Sequence, residues 1–182
     1  MSDSKTAQKS LHAARVDQYL FRDDGKIPNN RDLPLLIYRG VLDHDGNDPA
    51  ARCESLFARN HWRDAWRNGI YNYDHFHATT HEVLGIVRGH VQVRFGGEAG
   101  LIVEIEAGDV VVIPAGVGHK NMGASADLLV VGAYPGGREP DICTGTRWEH
   151  GHAVESVTEV PPPDRDPVFG DAGPLLERWH VA

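Results

Sequence analysis

Between Gly69 and Pro135 the chain is a succession of short apolar runs: GIYNYDHFH, EVLGIVRG, HVQVRFGG, LIVEIEAGD, VVVIPAG and DLLVVGAYP. Each is rich in Val, Ile, Tyr or Phe, and Gly, Pro or Asp punctuates each one. This pattern predicts antiparallel strands joined by tight turns. RFGGEAG reads as a hairpin connection between Phe95 and Leu101, and EAGDVVVIPAG as a strand with Gly on both sides. Upstream, LPLLIYRGVL (Leu33 to Leu42) predicts an early strand. NDPAARCESLFARN predicts the one clear helix. Asp48 stands at its N-cap and Pro49 at its first position, where the missing N–H costs nothing. Ala50, Cys53, Leu56, Phe57 and Asn60 form one mostly apolar face. Trp62 and Trp66 follow and are expected to cover one side of the core.

The two ends differ in texture. Residues 1–16 are polar without periodicity and are expected to be disordered. TEVPPPDRDPVFGDAGPLLERW is too rich in proline for a central strand, but Leu175, Leu176 and Trp179 give it an apolar end. The expected organisation is a single all-β antiparallel barrel over 69–135. An N-terminal strand and helix, 17–68, pack on it, and an extended C-terminal segment, 136–182, docks on it. No internal repeat interrupts this plan.

Charge and composition narrow the partners. The formal net charge is −8 and no Lys/Arg run is present, which excludes the positive surface that nucleic acid needs. A cleft can still be locally positive, so an anionic small molecule stays open. No stretch approaches the roughly 20 apolar residues of a spanning helix. MSDSKTAQKS has no apolar run behind it, so no signal peptide is read and a cytoplasmic location is expected. Cys53 and Cys143 form no Cys-x-x-Cys and are expected to be reduced thiols.

The candidate chemistry lies in DHFHATTHE, Asp74 to Glu82. If Gly69 to His77 is a strand, Tyr71, Tyr73, His75 and His77 share one face, because side chains alternate. Two imidazoles two residues apart can then aim at one point, with Glu82 returning after the turn ATT. A helical His-Glu-x-x-His reading from His81 fails, because the next required position is Gly85.

These residues carry a resemblance. Gly69, His75, His77, Glu82 and Gly89 match the first motif of the cupin superfamily, and Gly108, Pro114, Gly116 and His119 match the second. Asn121 falls two residues early and Gly123 occupies its usual place, a departure that bears on packing near the site. The flanks LPLLIYRGVL and DPVFGDAGPLL resemble the YjlB-like branch of that superfamily. The resemblance implies an RmlC-like jelly roll (double-stranded β-helix) with His75, His77, Glu82 and His119 as metal ligands.

The residue chemistry is compatible with this. Three neutral imidazoles and a carboxylate suit divalent Fe, Mn, Ni, Cu or Zn. Four ligands on a six-coordinate ion leave two positions for substrate or dioxygen. The expectation is a mononuclear metal cupin acting on a small oxygenated or anionic molecule, as a dioxygenase-type enzyme, with isomerase and lyase chemistry as other classes. The alternative is a ligand-binding or sensing cupin without catalysis.

Tyr71 and Tyr73 either line the pocket or fill the core, and Arg94 either binds a carboxylate or is a solvated charge. His81 is expected to turn outward, behind the site or on the surface. His12, His44, His61, His90, His150, His152 and His180 read as ordinary polar residues. Cupins often pair through edge strands, and Leu33 to Leu42 is the candidate edge for a homodimer.

Overall fold

Apolar alternation along the chain is satisfied by two facing sheets. The computed structural model describes residues 14–180, and among them nine strands carry the fold. They are β1 (Arg15–Tyr19), β2 (Leu35–Arg39), β3 (Trp62–Asn68), β4 (Glu82–Arg88), β5 (His90–Phe95), β6 (Leu101–Glu106), β7 (Val110–Ile113), β8 (His119–Ala124) and β9 (Leu129–Pro135). The larger sheet runs β1-β2-β7-β4-β9-β3 and the smaller β6-β5-β8, with every pairing antiparallel. The expected all-β barrel is formed.

The central strands are apolar on both faces because both are covered. Leu35, Ile37, Leu84, Ile86, Val111, Ile113 and Val130 face the small sheet, where they meet Val91, Val93 and Phe95. Leu36, Tyr38, Val83, Val87, Val110, Val112 and Val131 face the opposite way. There they meet helix α1 (Pro49–Arg59) and the C-terminal residues Leu175 and Trp179. Asp48 caps α1 through its carboxylate, which accepts from Ala51 N at 3.0 Å, with Pro49 following as expected. Gly85 makes this layer close: a Cβ there would stand 2.5 Å from Cys53 Sγ and 3.1 Å from Phe57.

Several expectations change. Gly69–His77 is not a strand. His75 bridges only to His119 and Phe76 only to Cys143, so no single neighbour runs alongside it. Trp62 and Trp66 do pack on the core, but the segment that carries them is a strand, β3, which the pattern did not predict. The expectation of disorder over residues 1–16 mostly lies outside the described residues, but the chain is already a strand at Arg15. Leu175 and Trp179 of the C-terminal segment are buried, and the segment, expected to be extended, carries helices α2 (Arg147–Ser156) and α3 (Pro174–Arg178). Its own caps explain α2: Thr146 and Glu149 form a capping box. Leu33–Leu42 is not an exposed edge, since β2 is flanked by β1 and β7.

Cys53 and Cys143 are free thiols. No helix among the described residues is long and apolar enough to cross a membrane.

One close approach bears on the site. Trp66 on β3 lies over Gly132 on β9, its registered partner. A Cβ at Gly132 would stand 2.1 Å from the Trp66 ring. Gly132→Ala is expected to destabilise the fold by about 1–3 kcal/mol, because the new methyl overlaps the indole and moving that ring breaks its hydrogen bond to Tyr134. Urea unfolding followed by circular dichroism reads this; an unchanged midpoint would contradict the packing.

Candidate metal centre

The irregular segment before β4 is what delivers the histidines. His75 N donates to His119 O at 3.3 Å and His119 N to His75 O at 2.9 Å. Gly116 N donates to His77 O at 2.8 Å, and Phe76 is joined to Cys143 by bonds of 2.9 and 3.0 Å. The chain is thus clamped on both sides without a continuous ladder, and both imidazoles project into the mouth of the barrel. Glu82, at the head of β4, has the parity of Leu84 and Ile86 and so points inward.

His75, His77 and His119 each place a ring nitrogen within 4.8 Å of the others, and all three are buried. Glu82 joins them: its Oε2 is 3.2 Å from His77 Nε2 and 3.4 Å from His119 Nε2. Neither contact is a well-aligned hydrogen bond, so this buried oxygen lacks a partner of its own. All four residues expected from the sequence therefore meet.

Ring orientation is set by the main chain. The Nδ1–H of His75 donates to Tyr73 O at 3.2 Å and that of His119 to Val117 O at 3.1 Å. The Nδ1–H of His77 donates to Asp141 O. Each ring is left to offer Nε2 to the common centre, the arrangement by which outer partners orient metal-binding histidines. An orphaned buried carboxylate oxygen and three converging Nε2 atoms fit a divalent cation.

The four groups shift one another's protonation. Burial, with His119 nearby, lowers His75 to about 3. Burial also acts to lower His77, but the adjacent Glu82 carboxylate outweighs it and raises the ring to about 9. For Glu82, burial alone would raise the carboxyl; His77 and His119 hold it well below its usual range.

Residues with no distinguishing sequence signal support these side chains. Asp141 lies 64 positions from His77. Its carboxylate accepts from Ala78 N at 2.8 Å and from Thr79 N and Oγ1 at 3.1 and 2.9 Å. It so holds the turn after His77 while its carbonyl holds the ring. Asp141→Ala is expected to cut metal affinity by about 10–100-fold. Competition with a chromophoric chelator measures this, and unaltered affinity would remove Asp141 from the centre. Tyr134 is buried on β9 with its hydroxyl accepting from Trp66 Nε1 at 2.8 Å. Burial and the neighbouring Glu82 carboxylate raise its phenol, so it stays protonated.

Other sequence candidates are placed differently. Tyr71 and Tyr73 do not fill the core: they are 48% and 40% exposed, stacked with ring centres 5.0 Å apart. Tyr71 lines the cavity and meets His75 edge-on at 5.1 Å. Arg94 is no free carboxylate binder, since its Nη2 is bonded to Asp74 Oδ2 at 2.6 Å. His81 does turn away from the centre but is not on the surface. It is fully buried, accepts from Ala115 N at 2.9 Å through Nδ1, and packs 4.8 Å from Trp179. Alternation gave its direction; the docked C-terminal segment covers it. His150 pairs with Asp23, and His152 stacks on Trp148.

The cavity over the ligands holds about 430 Å³. An antiparallel barrel with a histidine cluster at its mouth is the architecture of cupins. Residues 75–128 match the EutQ-like cupin domain. Protein YjlB of Bacillus subtilis (strain 168), described as uncharacterized, is 42% identical over 161 residues, covering 88% of this chain and 94% of that protein. The chain belongs to the YjlB-like branch of the cupin superfamily.

More distant similarity extends to solved structures. Acireductone dioxygenase from Bacillus anthracis, with cadmium in its active centre, is 14% identical with a TM-score of 0.37, covering 77% of this chain and 90% of that one. The epimerase RmlC from Legionella pneumophila is 13% identical with a TM-score of 0.37, covering 66% and 71%.

Proposed function

We propose that this protein is a mononuclear metal enzyme acting on a small oxygenated or anionic molecule, with dioxygen-dependent oxidation or cleavage as its reaction class. The observation that carries this reading is the convergence of three main-chain-anchored imidazoles and an unpartnered carboxylate at the floor of an open cavity. In the proposed centre His75, His77, His119 and Glu82 hold the ion. When bound, the ion supplies Lewis-acid or redox chemistry at positions the protein leaves open.

The chain's own residues do the rest. Asp141 fixes His77, and Trp66 fixes Tyr134. The Tyr134 hydroxyl, with its oxygen engaged by Trp66, keeps a proton to donate to Glu82 or to a ligand oxygen. Fe, Mn, Ni, Cu and Zn all suit the donor set.

Elemental analysis of protein purified without oxygen tests the centre. About one equivalent of metal per chain is expected, with a rise in melting temperature on loading. Absence of both sinks the proposal. Oxygen consumption with Fe(II) and candidate substrates separates an enzyme from a cupin that only binds or senses its ligand. Homodimerisation belongs to this reading, with edge strand β1 in place of β2. A monomer by light scattering at high concentration would remove it.

A further inference from the structure

The cavity wall carries information about the ligand that the metal centre does not. Above the four ligands it is formed by Trp66, Ile70, Tyr71, Leu84, Pro140 and Ile142. Among the described residues lining it, Arg67 is the one Lys or Arg. That guanidinium is already committed. Its Nε and Nη2 lie on the two Glu54 oxygens at 2.6 and 2.9 Å, and its Nη1 is 3.4 Å from Asp48 Oδ1. Arg94, which the sequence offered as a carboxylate binder, is bonded to Asp74. A carboxylate or phosphate on the body of a ligand would find no unpaired cation on this wall. Its desolvation would go uncompensated.

The wall offers aromatic and aliphatic surface instead. Tyr71 stacks on Tyr73 at the mouth and meets His75 edge-on, which makes a rigid platform beside the centre. Ile142, 49% exposed, is a solvent-reaching apolar residue of the same wall. The polar groups of the wall are uncharged: Asn68, whose Oδ1 accepts from Gly69 N, and the Tyr134 hydroxyl, whose orientation Trp66 fixes from behind and which is placed to recognise a ligand oxygen. The volume of about 430 Å³ is at the small end for ligand sites and accommodates one or two rings.

We propose that the ligand of this cavity is an uncharged, ring-containing molecule that presents an oxygen to the histidine cluster and to Tyr134. This rests on the metal-cupin reading and narrows it: of the oxygenated and anionic classes, the wall selects the oxygenated, uncharged one.

Calorimetry on the zinc-loaded protein tests this with two probes that share a hydroxyl end, 2-naphthol and 6-hydroxy-2-naphthoate. The uncharged probe is expected to bind about tenfold more tightly, because the carboxylate has no partner on the wall. Tyr71→Ala, at a half-exposed position, is expected to weaken 2-naphthol several-fold with metal content unchanged. Glu54→Gln, which releases Arg67, is expected to narrow the gap between the probes. Equal or tighter binding of the charged probe to the unaltered protein overturns the inference. So does binding of neither probe, or a Tyr71→Ala protein that binds 2-naphthol normally. Elemental analysis of the same samples separates the two readings. Full metal without the preference removes only this inference; the preference without metal removes only the metal centre.

Discussion

Replacing His119 with alanine is expected to lower metal affinity by about two to three orders of magnitude. Tetrahedral sites built from four protein ligands bind with roughly 10–16 kcal/mol, or about 2.5–4 kcal/mol per ligand, and each 1.4 kcal/mol is tenfold. His119 is the ligand to test because it also closes the backbone bridge to His75. That bridge uses main-chain atoms only, so His119→Ala deletes the imidazole and leaves the clamp. Titration against a chelator of known affinity gives the number; a loss below tenfold would mean that His119 is not a ligand.

The same site sets a pH dependence. In the metal-free protein His77 is raised to about 9 and is cationic at neutral pH, and an ion must displace its proton. Metal uptake near pH 7.5 is therefore expected to release about one proton, and affinity to rise about tenfold per pH unit until pH approaches 9. Without metal the sign reverses. The charged His77 contributes stability fully below its ordinary value of 6.5, and this is lost as pH rises through about 9. Proton release measured in two buffers by calorimetry checks the first statement; no release would sink it.

Asp166→Ala is expected to cost about 3–4 kcal/mol of folding stability, the second large effect. Asp166 is fully buried in the C-terminal segment and accepts from four donors: Tyr38 Oη at 2.7 Å, Val168 N at 2.9 Å, Phe169 N at 3.0 Å and Leu175 N at 3.1 Å. Alanine orphans all of them beneath the barrel. Gly173 leaves the space for this, since a Cβ there would stand 2.6 Å from Asp166 Oδ2. Tyr38→Phe removes one donor and leaves the carboxylate three, so about 1 kcal/mol is expected. Urea midpoints for the two variants should differ in that order. Equal midpoints would show that Asp166 does not hold the segment down.

What could be read from the sequence divides by range. The strands β4 to β7 and the hairpin between Phe95 and Leu101 follow from local alternation and turn residues, and they fold as expected. β8 did not announce itself, because HKNMGA is polar and its one buried residue is His119. The grouping of His75, His77 and Glu82 was legible because their spacing is local and their residue types are distinctive, whereas His119, far along the chain, was joined to them only through the resemblance. Gly69–His77 was misread as a strand, since the bonds that shape it come from His119 and Cys143. For His81 alternation gives the direction but not the burial, because its cover, Trp179, lies almost a hundred positions away. Arg94 looked available because nothing local predicts the pairing with Asp74 twenty positions earlier. Asp141 and Tyr134 had no signal beyond their identity.

The three imidazole anchors differ in what mutation can do to them. His75 and His119 each bond a carbonyl two residues before them, and a carbonyl survives any side-chain replacement. Those two rings carry their own aim, like a component supplied with its mount. His77 also bonds a carbonyl, that of Asp141, but this one is remote in sequence, in a loop outside the barrel whose position depends on the Asp141 carboxylate accepting from Ala78 and Thr79. The loop also supplies Pro140 and Ile142 to the cavity wall. Over evolutionary time, then, the floor of this site is resistant to drift, whereas residues 140–142 can retune one ligand and reshape the entrance together. Divergence among relatives in what they accept is expected to collect in that loop, with the other two histidines inherited unchanged.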